Sequence, residues 1–209
     1  MFQDRIDAGR QLGEALVPRV SGPDVVMGVA RGGVVVAAEV AAALGAPLDV
    51  AISRKLGAPN NPELGVGAVA PGVRVIDERL VRRLGIGASY LEAEATRQEA
   101  EIERRLLAYR GDGPTPSLRG ATVVVVDDGV ATGVTSTATL RWVRAAGAAW
   151  VVFAAPVGPE GVDAVLAREC DDCVILCTPA DMRAVGQWYE AFGQTSDDEV
   201  RATLSAQPR

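Results

Sequence analysis

Apolar and polar positions follow two different periods along this chain. Residues 2–17 put Phe2, Ile6, Leu12 and Leu16 roughly on one side of a helix. Residues 25–29 form a short apolar strand, bounded by GPD before and ARGG after. A buried helix over 34–44 then stops at Gly45, and a second strand covers 48–52. Residues 53–65, SRKLGAPNNPELG, carry two prolines, two asparagines and two glycines and predict a loop. The segments 66–70 and 73–77 flank Pro71-Gly72 as a hairpin. Helices follow over 78–84 and 88–109. The longer one has Leu91, Ala95, Ile102 and Leu106 on one stripe, and a charged face with i,i+4 pairs Arg97–Glu101 and Glu101–Arg105. That face is expected to be solvated. After a loop at 110–120, the pattern resumes with a valine strand at 121–127. A helix at 134–146, a strand at 150–156, a helix at 160–169 and a strand at 173–177 complete it. The tail, 178–209, holds Trp188, Tyr189 and Phe192, expected in the core, and a polar helix starting near Asp197.

Strands alternating with helices in this way predict an α/β fold, mainly a parallel sheet flanked by helices. The chain 1–209 is expected to be a single domain. A loop, hairpin and helical insertion at 60–118 and a small C-terminal hood at 178–209 elaborate it. Ligands of parallel sheets bind outside the carboxyl ends of the strands. The loops after Val29, Ile52 and Asp127 are therefore expected to face one cleft.

Composition narrows the chemistry. There is no histidine, so histidine bases, Ser-His and Cys-His nucleophiles and His-ligated metals are excluded. The formal charge of −6 and the lack of a basic run argue against nucleic acid as a partner. Aromatics are only 4%, so Val, Ala and Leu must fill the core. The first residues lack a cationic start followed by an apolar run, and no stretch approaches a membrane span. A cytoplasmic location and no membrane partner are expected. Cys170, Cys173 and Cys177 have no histidine to complete a zinc site, and are expected to be small structural residues.

The chemistry concentrates in VVVVDDGVATGVT, residues 123–135. Asp127 and Asp128 stand where a buried strand leaves the core. Gly129, Val130, Ala131, Thr132 and Gly133 follow, and a helix begins at about Val134. Small residues let backbone approach a ligand closely. Free N–H groups at the helix start, with the Thr132 and Thr135 hydroxyls, make an anion pocket. Two carboxylates beside a phosphate need something else to bind, and vicinal hydroxyls or a bridging Mg²⁺ supply it. A ribose 5-phosphate fits both halves. Helix capping is the plain alternative for the acids. A P-loop would need Lys where Val134 stands, and no GxGxxG is present.

This segment resembles the signature of type I phosphoribosyltransferases: an apolar strand, two acids and an ATGxT-type loop. The order of elements is similar over most of the chain. The resemblance implies that Asp127 and Asp128 bind the ribose hydroxyls of phosphoribosyl pyrophosphate (PRPP). It implies that the loop Gly129, Val130, Ala131, Thr132, Gly133, Val134 and Thr135 binds the 5-phosphate. Arg31-Gly32-Gly33, otherwise an ordinary turn, resembles the family's pyrophosphate loop, which often contains a strained or cis peptide. Arg54 and Lys55, otherwise a solvated pair, match basic residues that clamp pyrophosphate.

The family's Mg²⁺-dependent reaction moves ribose 5-phosphate from PRPP to a nitrogenous base. Where this chain has Ala131, the hypoxanthine-guanine enzymes carry an Asp. The ATG form is closer to adenine enzymes, which take a Glu from a flexible loop. Glu63 is the candidate here, with a solvated loop residue as the alternative. The helical insertion exceeds the family's usual flexible loop and is a candidate lid, hood or homo-oligomer contact. Stacking of Trp188, Tyr189 and Phe192 on a base is the alternative to packing in the core. Overall the chain resembles bacterial phosphoribosyltransferase-like proteins better than any enzyme of known acceptor. A non-catalytic PRPP- or nucleotide-binding regulator of the same fold is the alternative, and a metal-dependent phosphohydrolase using Asp127 and Asp128 is a third reading.

Overall fold

The computed structural model describes residues 1–111 and 116–206, with the side chain of Glu63 outside the described part. Helix α1 (Arg5–Leu16) is capped by Asp4, whose carboxylate accepts the Asp7 N–H at 2.8 Å. Strand β1 (Val25–Val29) runs into α2 (Gly32–Leu44), which ends at left-handed Gly45, φ 63°. Next come β2 (Leu48–Ala51), β3 (Arg54–Ala58), β4 (Asn61–Ala70), β5 (Val73–Ile76), α3 (Glu78–Leu84) and α4 (Ala88–Arg110). The chain returns through β6 (Thr122–Val126), α5 (Val134–Ala145), β7 (Trp150–Val157), α6 (Val162–Leu166) and β8 (Asp172–Cys177). A 3-10 turn (Val185–Trp188) and α7 (Asp197–Ala206) close the described chain.

Five strands form a parallel sheet in the order β2-β1-β6-β7-β8. Side chains on β6 alternate between its two faces. Val124 and Val126 pack with α1 and α2 residues such as Leu12 and Val40, while Val123 and Val125 pack with α5 residues Leu140 and Val143. All four valines are fully buried. Each such side chain contributes about 1.5–3 kcal/mol relative to exposure, so a polar residue is tolerated only where the strand ends. That point is Asp127.

A second, antiparallel sheet in the order β3-β4-β5 lies beside the first. The segment 53–65 is thus a strand pair rather than a loop. Only Pro59 and Asn60 make its turn, and Leu56, Gly57 and Ala58 are buried. The glycine that suggests a loop is needed for pairing: a Cβ at Gly57 would lie 2.7 Å from the Pro62 carbonyl. The small residues Ala68 and Ala70 of β4 pack on Ala138 of α5, and α4 covers β3 and β4 through Ala95 and Ile102.

Other expectations shift at their edges. Helix α1 starts at Arg5, leaving Ile6 41% exposed. Phe2 instead forms a parallel bridge with Tyr189. Helix α2 starts at Gly32, and α6 has only five residues. Arg97 bonds Glu94, not Glu101, and Glu101 takes Arg104 and Arg105. No helix among the described residues is long and apolar enough to cross a membrane.

Candidate ligand site

The loop after β6 is held in place from behind. The Asp127 N–H donates to the Ala154 carbonyl at 3.1 Å, and the Val130 N–H to the Val157 carbonyl at 2.8 Å. Both partners belong to β7, so the acids sit at a fixed depth at the carboxyl edge of the sheet. Ala131 and Thr132 are exposed, and Gly133 turns the chain into α5 at φ 76°, a region that favours glycine. The first N–H groups of a helix have no acceptor within it. At the start of α5 these are the N–H groups of Val134 and Thr135, which follow the acids along the loop.

The two carboxylates differ. Asp127 accepts the Asp128 N–H at 2.9 Å. Burial, and then the neighbouring Asp128 charge, push the Asp127 carboxyl well above the ordinary range. Asp128 instead forms a salt bridge with Arg5, Nε to Oδ2 at 2.7 Å, with both side chains largely buried. Arg5 also donates to the Gly193 carbonyl at 2.7 Å and lies 4.0 Å from the centre of the Phe192 ring. The Tyr189 hydroxyl donates to the Asp128 backbone carbonyl at 2.5 Å. The tail aromatics therefore divide: Tyr189 is buried against Phe2, Trp188 is half-buried, and Phe192 is exposed over Arg5.

Gly32 and Gly33 bring the loop after β1 against this pair. A Cβ on Gly32 would fall 1.9 Å from Asp128 Oδ2, and one on Gly33 would fall 2.8 Å from the Val126 carbonyl. Glycine is required at both places for close approach. The Ala30–Arg31 peptide between β1 and α2 is cis. Gly129 has a similar constraint from the tail, where a Cβ would meet Val185 at 2.4 Å.

The cations stand on the loop after β1 and, beyond β2, at the start of β3. Arg31 caps α2 and its NH1 lies 3.6 Å from Asp197 Oδ1, which also accepts the Tyr109 hydroxyl at 2.7 Å. Arg54 Nε donates to Gln98 Oε1 of α4 at 2.7 Å. Ser53, Arg54, Lys55 and Thr135 face Tyr90 and Arg97 of α4 across a cavity of about 450 Å³. Ser53 and Thr139 are joined by their hydroxyls at 2.8 Å, which ties the loop after β2 to α5. The loop after β1 thus packs on the acids, and the loop after β2 is tied to the helix that follows them. Glu63 has its backbone in β4, and its side chain lies outside the described residues.

Three residues whose part in the site the sequence does not signal complete it: Arg5, Asp197 and Gln98 each reach it from a distant segment, while Tyr189, a tail aromatic expected in the core, supports the Asp128 carbonyl. The i,i+4 spacing of Glu94 and Gln98 on α4 is a visible signal, but a charged face of this kind predicts solvation. Both are buried.

A five-stranded parallel sheet with paired acids at its carboxyl edge defines an α/β protein of the kind whose ligands bind outside that edge. Comparisons with known proteins narrow this class. The model of the phosphoribosyl transferase domain matches residues 19–178. Two proteins of Mycobacterium tuberculosis, named "Putative phosphoribosyl transferase MT0597" and "Putative phosphoribosyl transferase Rv0571c", are each 47% identical over 205 residues. That match covers 98% of this chain and 46% of each relative, so the chain spans about half their length. The crystal structure of TT1426 from Thermus thermophilus is 44% identical, with a TM-score of 0.80 over 97% of both chains. The chain belongs to the phosphoribosyl transferase domain family.

Proposed function

We propose that the protein is a Mg²⁺-dependent phosphoribosyltransferase that uses PRPP and a nitrogenous base. One observation carries this reading: Asp127 and Asp128 stand at the mouth of β6 directly before the amide-lined start of α5, with the Arg31 loop packed on them. The 5-phosphate takes the N–H groups and hydroxyls of 131–135. The ribose hydroxyls donate to the Asp128 carboxylate and to Asp127. Arg31, Arg54 and Lys55 receive the pyrophosphate.

In the reaction the bond from C1 of the ribose to pyrophosphate oxygen breaks, and its electron pair leaves with pyrophosphate. A bond forms between C1 and the acceptor nitrogen, which gives up its proton. The chain positions the sugar and neutralises the departing charge. A carboxylate pair beside a diphosphate fits Mg²⁺, which is commonly held by one or two carboxylates together with substrate phosphates. Asp127 or Asp128 would hold it with the PRPP oxygens. When bound, it supplies charge to the leaving group. Glu63 remains the proposed acceptor of the base proton.

Incubation with Mg²⁺, PRPP and a panel of bases tests the reading through pyrophosphate release. Release that depends on one base supports transfer. Tight PRPP binding without turnover transfers support to the regulatory alternative, and orthophosphate release without any base transfers it to hydrolysis.

A further inference from the structure

Helix α4 has a buried polar row that its packing against the antiparallel sheet does not require. Gln98 is 5% exposed and Glu94 9%. Both face the cavity wall shared with Ser53, Arg54, Lys55 and Thr135. Buried polar groups are costly unless bonded, so their partners identify what they are for.

The bonds form a directed chain. Arg97 grips Glu94 with two hydrogen bonds, Nε to Oε2 at 2.9 Å and NH2 to Oε1 at 2.7 Å. The Gln98 amide nitrogen donates to Glu94 Oε1 at 2.9 Å. This leaves the Gln98 oxygen for Arg54 Nε at 2.7 Å. Rotating the carboxamide would set its NH₂ against a guanidinium and its oxygen against a carboxylate, so the orientation is fixed. Arg54 forms no other side-chain hydrogen bond among the described residues. Burial first, then the charge of Arg105 and more weakly those of Arg97 and Arg31, bring the Arg54 pKa below the ordinary value against the opposing pull of Glu101.

We propose that Gln98 is a positioning residue, a neutral acceptor that holds Arg54 by its Nε at the cleft without placing another carboxylate on it. A carboxylate at this position would form an ion pair with Arg54 and compete with an incoming anion. An apolar residue would let the side chain turn away. The proposal rests on the reading that Arg54 receives pyrophosphate, and it deepens that reading by giving the insertion helix a task in it.

The test is calorimetric titration of the full chain with Mg²⁺-pyrophosphate and, separately, with ribose 5-phosphate. Gln98→Met and Gln98→Glu are compared with the unaltered protein, and thermal melts follow the fold. Both variants are expected to weaken pyrophosphate binding about fivefold to tenfold and to leave ribose 5-phosphate within about twofold. In an Arg54→Ala background Gln98→Met should add less than about twofold, because the group it orients is gone. Unchanged pyrophosphate affinity in both variants, or an undiminished effect without Arg54, overturns the role of Gln98. If one variant melts early, the other still decides. Absence of ribose 5-phosphate binding in the unaltered protein defeats the sugar-phosphate reading, whereas the pyrophosphate series alone judges Gln98.

Discussion

The acid loop and the cationic wall of the site are built differently. The acid loop, 127–135, is a local construction: strand end, two carboxylates, small residues and helix start follow one another in sequence. The cationic wall is assembled at long range. Arg31 leans on Asp197, and Arg54 on Gln98. The order of the acid loop's parts is set by neighbouring backbone, and β7, Arg5 and Tyr189 then hold it at a fixed depth. Long-range construction lets an insertion or a tail tune charge without disturbing the loop. The acid side is therefore expected to determine whether the sugar phosphate binds, and the cationic side how tightly pyrophosphate is held.

Substitutions separate the two sides. The largest effect is expected from Asp128→Ala, which removes a ribose acceptor and unpairs a largely buried Arg5. Ribose 5-phosphate affinity should drop about 30- to 100-fold by calorimetry, or roughly 2–3 kcal/mol. Unaltered affinity would mean the acids do not bind the sugar. Gly32→Ala comes next, since its Cβ would overlap Asp128 Oδ2. About tenfold weaker binding of the same ligand and a loss of ~1–3 kcal/mol of stability in denaturant titrations are expected. Arg54→Ala should weaken Mg²⁺-pyrophosphate about tenfold while sparing ribose 5-phosphate. Equal losses for both ligands would erase the distinction between the walls.

The smallest effect concerns stability and pH. The Asp127 carboxyl is pushed up in the folded chain, so folded molecules hold a proton that unfolded ones have already released. Stability then falls as pH rises from the ordinary carboxylate range toward the folded pKa. Asp127→Asn keeps the oxygen that accepts the Asp128 N–H and removes this dependence. Near neutral pH it should gain about 1 kcal/mol, roughly 2–4 °C in Tm. The gain should vanish below the ordinary carboxylate range, where both states are protonated. A variant less stable than the parent at neutral pH would show that Asp127 is ionised and paired.

The acid loop is legible in the sequence because its information is contiguous, and four valines cannot be followed by two acids unless the strand ends there. The parallel sheet is legible for the same reason. The hairpin arms at 66–70 and 73–76 are legible too, but the strand stretch 54–65 is not, because Gly57, Pro59 and Pro62 resemble breakers until their partners are known. In the fold they sit at an irregular pairing around a two-residue turn. Nothing near Arg5 in sequence signals an acid 123 residues away, since that contact exists only after α1 has packed on α2. Glu94 and Gln98 escape a sequence reading because helical periodicity gives the side of a helix but not what lies opposite.

The bridge between Phe2 and Tyr189 links the opening residues to the sugar site. The Phe2 N–H donates to the Trp188 carbonyl at 2.8 Å, the Glu190 N–H donates to the Phe2 carbonyl at 2.9 Å, and Tyr189 itself supports the Asp128 backbone. Trimming the first few residues would delete no proposed ligand contact. It would nonetheless loosen a clasp whose far end is an acid of the pocket, so damage at one extremity would register as a fault in recognition.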